Sequence, residues 1–169
     1  MEIDYSPYNF EKIDSDEFIY LFDTDFELSY EIIFKPTPYL FSPEKPYSND
    51  TYEFSIIVIE NPNHASPPFD NRIGSTIARI FDEFYMINGN TVSLYICASH
   101  DNRQKVRYRK FNSWFTTFSS NKYVKMDAYI IDLNKDEFPI SIILSKENPY
   151  RKSISNDFYD VIDNFQNNK

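Results

Sequence analysis

Asp101, Arg103, Arg107 and Lys110 fall within one short basic run, which Cys97 and His100 precede, Lys105 and Arg109 punctuate and Trp114 follows. With Asp101 beside them, Arg103 and Arg107 at the start of a helix could clamp a phosphate, aided by its positive end. Asp70 and Arg72 mark a second helix start that could face this one. The competing reading is that Asp70, Arg72, Asp101 and Arg103 pair with one another across two adjacent helix starts. A thiol with a neighbouring base, Cys97 with His100, would be a nucleophile if a helix N-terminus lowered its pKa. Cys97 ends an apolar strand, however, which implies a buried and inert thiol. Two histidines and one cysteine without HExxH or CxxC spacing argue against a metal centre. The acidic groups Asp14/Asp16/Glu17 and Asp23/Asp25 are what chance supplies in a chain with 26 acids. No cofactor or metal is expected.

The elements that must position these groups follow from periodicity. Asp101 suits an N-cap, with Gln104 completing a capping box, and Ser99 is a rival cap. On a helical wheel Tyr108, Phe111, Phe115 and Phe118 share one narrow face, which is core. Arg103, Arg107, Lys110 and Trp114 form a stripe beside it, where a guanidinium could stack on Trp114. Lys105 and Arg109 point to solvent. The site residues are therefore Asp101, Arg103, Lys105, Arg107, Arg109 and Trp114 on this helix, with Arg72 from the other, either as a binding surface or as a salt-bridged helix face.

Upstream and downstream the chain reads as hairpins interrupted by single helices. Residues 1–16 are polar and aromatic without a period, an arm. Phe18, Tyr20 and Phe22 alternate, turn through Asp23-Thr24-Asp25, and lead to Phe26, Leu28, Tyr30, Ile32 and Phe34: a hairpin with one wet side. Four prolines between Pro36 and Pro46 define a loop whose Tyr39, Phe41 and Tyr47 should tack it to the core. Phe54, Ile56 and Val58, with Ile57 and Ile59 opposite, make a strand apolar on both faces and hence central. Asp70 caps a helix carrying Ile73, Ile77, Ile80, Phe81, Phe84 and Ile87, stopped by Asn88-Gly89. Val92, Leu94 and Ile96 form a strand running into the basic helix. Residues 123–133 and 138–144 form a second hairpin. Phe158, Val161, Ile162 and Phe165 give a short terminal helix with a frayed tail at 166–169. The order ββ-β-α-β-α-ββ-α predicts an α+β domain: about six mostly antiparallel strands and three helices mainly on one face.

At 169 residues with 41% hydrophobic and 18% aromatic content, residues 1–169 suffice for a single domain with a real core. One cysteine fits a reducing compartment, and no signal-peptide pattern or membrane-length apolar run is present, so a cytoplasmic protein is expected. The net charge is −9. Residues 101–110 carry five positive charges and one negative, so everything else amounts to −13. That balance disfavours nucleic acid as a partner without excluding a local basic groove. Two glycines leave no glycine-rich phosphate loop.

With the elements placed, a resemblance can be stated. The aromatic hairpin from Phe22 to Phe34, Glu53-Phe-Ser-Ile56, Asp70-Asn-Arg-Ile-Gly-Ser-Thr-Ile77, the run Tyr95 to Gln104 with Arg107, Arg109, Phe111 and Trp114-Phe115, and Ser141 to Pro149 together resemble an uncharacterised bacterial family, mostly of Bacteroidetes, catalogued as a domain of unknown function. The resemblance covers nearly the whole chain and implies no activity. In that family the turn before the basic helix resembles Asp-Ser-x-Asp-Gly-Arg; here Ala98 and Asn102 depart from it. The expectation is a small non-enzymatic interaction or regulatory protein, acting through a protein partner or as a homo-oligomer. The alternatives are nucleotide or nucleic-acid binding through helix 101–118 and, third, an enzyme on phosphate esters.

Overall fold

The computed structural model describes residues 4–64, 66–97 and 101–167. Strands β1 (Phe10–Ile13), β2 (Phe18–Asp23), β3 (Ser29–Pro36) and β4 (Thr51–Glu60) form an antiparallel meander. Helix α1 (Asn71–Ile87) then carries the chain to β5 (Val92–Ile96), which pairs parallel to β4. Helix α2 (Gln104–Phe118) leads into the hairpin β6 (Tyr123–Ile131) and β7 (Glu137–Ser145), and α3 (Arg151–Asn167) follows. The result is one seven-stranded sheet in the order β1-β2-β3-β4-β5-β7-β6. The fold is α+β with a mostly antiparallel sheet.

Two details correct the sequence reading. The supposed N-terminal arm contains a strand: β1 extends the meander, Phe10 opposite Phe22 and Ile13 opposite Ile19. Helix α3 is not short. It starts two residues after Pro149 and continues through Gln166 and Asn167; residues 168–169 lie outside the described residues. Two of the three helices share one face, as expected, and α3 takes the other. On one face α1 and α2 bury Ile73, Ile77, Ile80, Phe81, Phe84 and Phe111 against Tyr20, Tyr30, Ile32, Phe34, Phe54 and Tyr95. On the other, Ile154, Phe158 and Ile162 of α3 pack on Val92, Leu94, Ile140, Ile142 and Leu144. Strand β5, flanked on both faces, reads Val-Ser-Leu-Tyr-Ile, and its small Ser93 receives the Tyr85 hydroxyl at 2.9 Å.

The aromatic content supplies the first core. Phe34 is fully buried and its ring stacks on Phe84 with centroids 3.8 Å apart. Rings of this size bury about 150–250 Å² each, so few are needed to stabilise a domain. Helix α1 begins where the Asp70 carboxylate accepts the Arg72 backbone N–H at 2.9 Å, the expected cap. It lies so close to α2 that any side chain at Gly74 would force a shift, because a Cβ there would stand 2.5 Å from Trp114 Cδ1. The proline-rich loop is tacked down by two of its three aromatics. Phe41 and Tyr47 are buried, and the Tyr47 hydroxyl donates to Asp157, which also pairs with Lys45 at 2.8 Å; Tyr39 stays exposed.

β4 is central in strand order, as expected, but not in burial. Its parallel pairing with β5 covers only Thr51–Phe54, set against Val92–Tyr95. Beyond Phe54 it continues for six residues with β3 on one side only, and Ile57, Val58 and Ile59 are exposed. The sheet thus forks between the tip of β4 and the end of β5.

Candidate functional site: a basic cleft beside α2

The fork opens into a cleft of about 440 Å³. Its floor is apolar and aromatic, from Tyr30, Ile56, Val58 and Tyr95; Asn61, His64, Ser66 and Pro67 form one wall, and Arg103, Val106, Arg107, Lys110 and Trp114 at and within α2 form the other. The stripe of three cations and a tryptophan read from the helical wheel is the wall of a real concavity.

Helix α2 begins later than the capping-box reading places it. Asn102 has φ 56°, so the backbone cannot enter the helix at Asp101; Arg103 is the N-cap position and makes no side-chain cap. Ser99, the rival cap, and His100 lie outside the described residues. Asp101 serves instead as an anchor. Its two oxygens accept from Arg107 Nη1 and Nη2 at 2.6 Å each, a bidentate pair, and Oδ1 accepts the Arg103 N–H at 3.2 Å. This bond, opposed by partial desolvation, raises the Arg107 pKa above its ordinary value. Arg107 is thereby held in orientation at the cleft.

Arg103 and Lys110 differ from it: among the described residues neither makes an ion pair. The Lys110 ammonium, rather than a guanidinium, lies over the Trp114 ring at 4.9 Å, the i, i+4 geometry of one helix face. Lys110 is exposed as a residue, yet crowding around its ammonium, reinforced by Arg103, pulls its pKa below the usual lysine value against the opposing pull of Asp70. An unpaired cation of this kind gains when an anion arrives. Two tyrosines line the floor with their phenols held neutral: burial, then Asp70, pushes Tyr30 up to about 12, and burial, then Cys97, pushes Tyr95 higher still.

The remaining basic residues are placed elsewhere. Lys105 and Arg109 are exposed as expected, and Lys105 reaches across to Glu137 at 3.3 Å. Arg72 does not join the cleft. It stacks on Tyr8 at 3.9 Å and pairs with Asp25 at 2.6 Å, fastening the N-terminal segment to α1. The proposed pairing across helix starts therefore does not form: Asp70 takes the Tyr8 hydroxyl at 2.8 Å, and Asp101 takes Arg107. Cys97 is buried, and burial raises its thiol pKa, so it is not primed as a nucleophile. Tyr108 and Phe115 are half-buried rather than buried, packed at the edge of the core that Phe111 fills. Sequence reasoning missed Tyr30, Ile56, Val58, Asn61, His64, Ser66 and Pro67 as cleft residues. The usable signal was the apolar end of β4, too long for the short strand that follows α1.

Residues 69–160, more than half of the chain, match the model of a family of unknown function, DUF6169. The chain belongs to that family. The matched span runs from the cap of α1 into α3 and holds the α2 wall of the cleft. The floor residues Tyr30, Ile56 and Val58, and the resemblance drawn over residues 22–34 and 53–56, lie outside it. No curated protein and no solved structure matches the chain. Among the described residues no helix is long and apolar enough to cross a membrane, and no group of three or more His, Cys, Asp or Glu side chains is arranged to hold a metal ion.

Proposed function

We propose that this protein is a non-enzymatic binding module whose cleft beside α2 takes an acidic segment of a protein partner. The observation that carries this is the pair Arg103 and Lys110, which among the described residues make no ion pair, on the wall of a concave surface in a chain of net charge −9, where acids to neutralise them are plentiful. The apolar floor of Ile56, Val58 and Tyr30 accommodates a side chain flanking the acid, and pre-anchored Arg107 fixes its direction. A long polyanion is disfavoured because the surrounding field is negative. A cytoplasmic setting and a regulatory role fit this reading.

Trp114 is the single tryptophan, so its emission reports on the cleft. Titration with a glutamate-rich peptide should shift that emission, more weakly as salt rises. Arg103→Glu should weaken the response by at least about tenfold, or roughly 1.4 kcal/mol. A response to mononucleotide or single-stranded oligonucleotide, but none to the peptide, would replace this reading with nucleotide binding.

A further inference from the structure

The face of the sheet that α3 covers is only partly covered. Helix α3 and the 37–50 loop close it over β5, β7 and β6. Over β1–β4 the same face presents Ile13, Ile19 and Ile33 in one cross-strand row, with Leu21 and Ile57 in the next. None of these five belongs to either buried cluster; Ile57 is exposed and the other four are half-buried. Ile96, also exposed, joins this strip to the covered half. Interleaved with the apolar rows are Glu11, Glu31 and Glu53, with Lys35 the one base beside them. Among the described residues these three carboxylates make no ion pair, not even Glu53 with its cross-strand neighbour Lys35.

We infer that this half-face is a docking surface for one basic amphipathic helix of a partner protein. Width argues for a helix. Four strands at about 4.8 Å spacing give a strip roughly 14 Å across, room for one helix of about 10–12 Å diameter lying beside α3 in the same layer. Charge argues for a basic one, with apolar residues toward the isoleucines and lysines or arginines toward the glutamates. Charge also argues against a second copy, since stacking two of these faces would oppose six glutamates with two lysines. This surface is on the opposite side of the sheet from the basic cleft, so it stands or falls independently of the proposed function.

The probe is a dye-labelled helical peptide of about 18 residues, leucine at i, i+3, i+4 spacing and lysine elsewhere, read by fluorescence anisotropy. A leucine/glutamate counterpart serves as control. The full chain should bind the lysine peptide one to one and leave Trp114 emission unmoved, whereas any binding of the glutamate peptide should move that emission, because it can reach only the basic cleft. Glu31→Lys together with Glu53→Lys should lower the affinity at least about tenfold, whereas Asp160→Lys on exposed α3 changes it less than about twofold. Circular dichroism confirms that each variant is folded. Equal losses from the sheet and α3 reversals would overturn the inference as unspecific attraction. So would a lack of binding, or a dimer in sedimentation velocity that Ile57→Asp dissociates, which would make the occupant a second copy.

Discussion

Lys125 is the most deeply placed of the paired lysines, its side chain only 7% exposed, and it is satisfied by Asp127 and by the Tyr108 ring at 5.0 Å. Asp127 also accepts from Ser141 at 2.6 Å. Burial alone would raise the Asp127 pKa, but the hydrogen bonds from Lys125 and Ser141 outweigh it and hold the carboxyl below its ordinary value of 3.8. A carboxylate depressed in the folded state contributes stability that is present above the unfolded pKa and lost as pH falls through the folded one. Acid unfolding should therefore steepen below pH 3.8, and Asp127→Asn should flatten that limb. At neutral pH the same variant leaves Lys125 without its carboxylate and should cost about 2 kcal/mol in urea unfolding, less than a fully buried pair because Asp127 is partly solvated. At this scale the basic run was legible because helical geometry alone sorts Arg103, Arg107 and Lys110 from Lys105 and Arg109. The partners of Asp101 and Arg72 were not legible: many acids compete for each base, and only the fold brings Asp25 to Arg72.

The contact between α1 and α2 depends on a single missing methyl group. Gly74→Ala would press a Cβ onto Trp114 and, at 2.7 Å, onto Phe118 Cε2. Alanine improves helix propensity by about 1 kcal/mol, but overpacking costs about 1–3 kcal/mol, and both obstacles are rigid rings. The expected net effect is a loss of stability in urea unfolding together with weaker peptide binding, because the displaced Trp114 is a cleft wall. The helices themselves were plain in the sequence, since Ile73, Ile77, Ile80, Phe81 and Phe84 repeat at helical spacing. Which face of the sheet each helix covers was not, because an amphipathic stripe such as Ile154, Phe158 and Ile162 fits either side. β1 escaped for a different reason: Phe-Glu-Lys-Ile is too short to show a period, and Lys12 stands on the core-facing side, over Phe18 at 5.1 Å.

For the molecule as a whole, the family match and the folding unit differ in extent. Residues 69–160 hold α1 but not Phe34 or Phe54, the rings on which Phe81 and Phe84 pack. A fragment of that span should show no cooperative thermal transition by circular dichroism, while the full chain melts in one step. The two halves of the sheet meet along only four parallel residue pairs, and past them β4 has β3 as its sole strand partner. Such a strand keeps two clocks. From Ser55 to Glu60, amides turned toward β3 should exchange deuterium slowly and those turned toward the fork quickly, an alternation from one residue to the next. A partner seated in the cleft would slow the fast set and leave the slow set unchanged, so occupancy could be timed without any label.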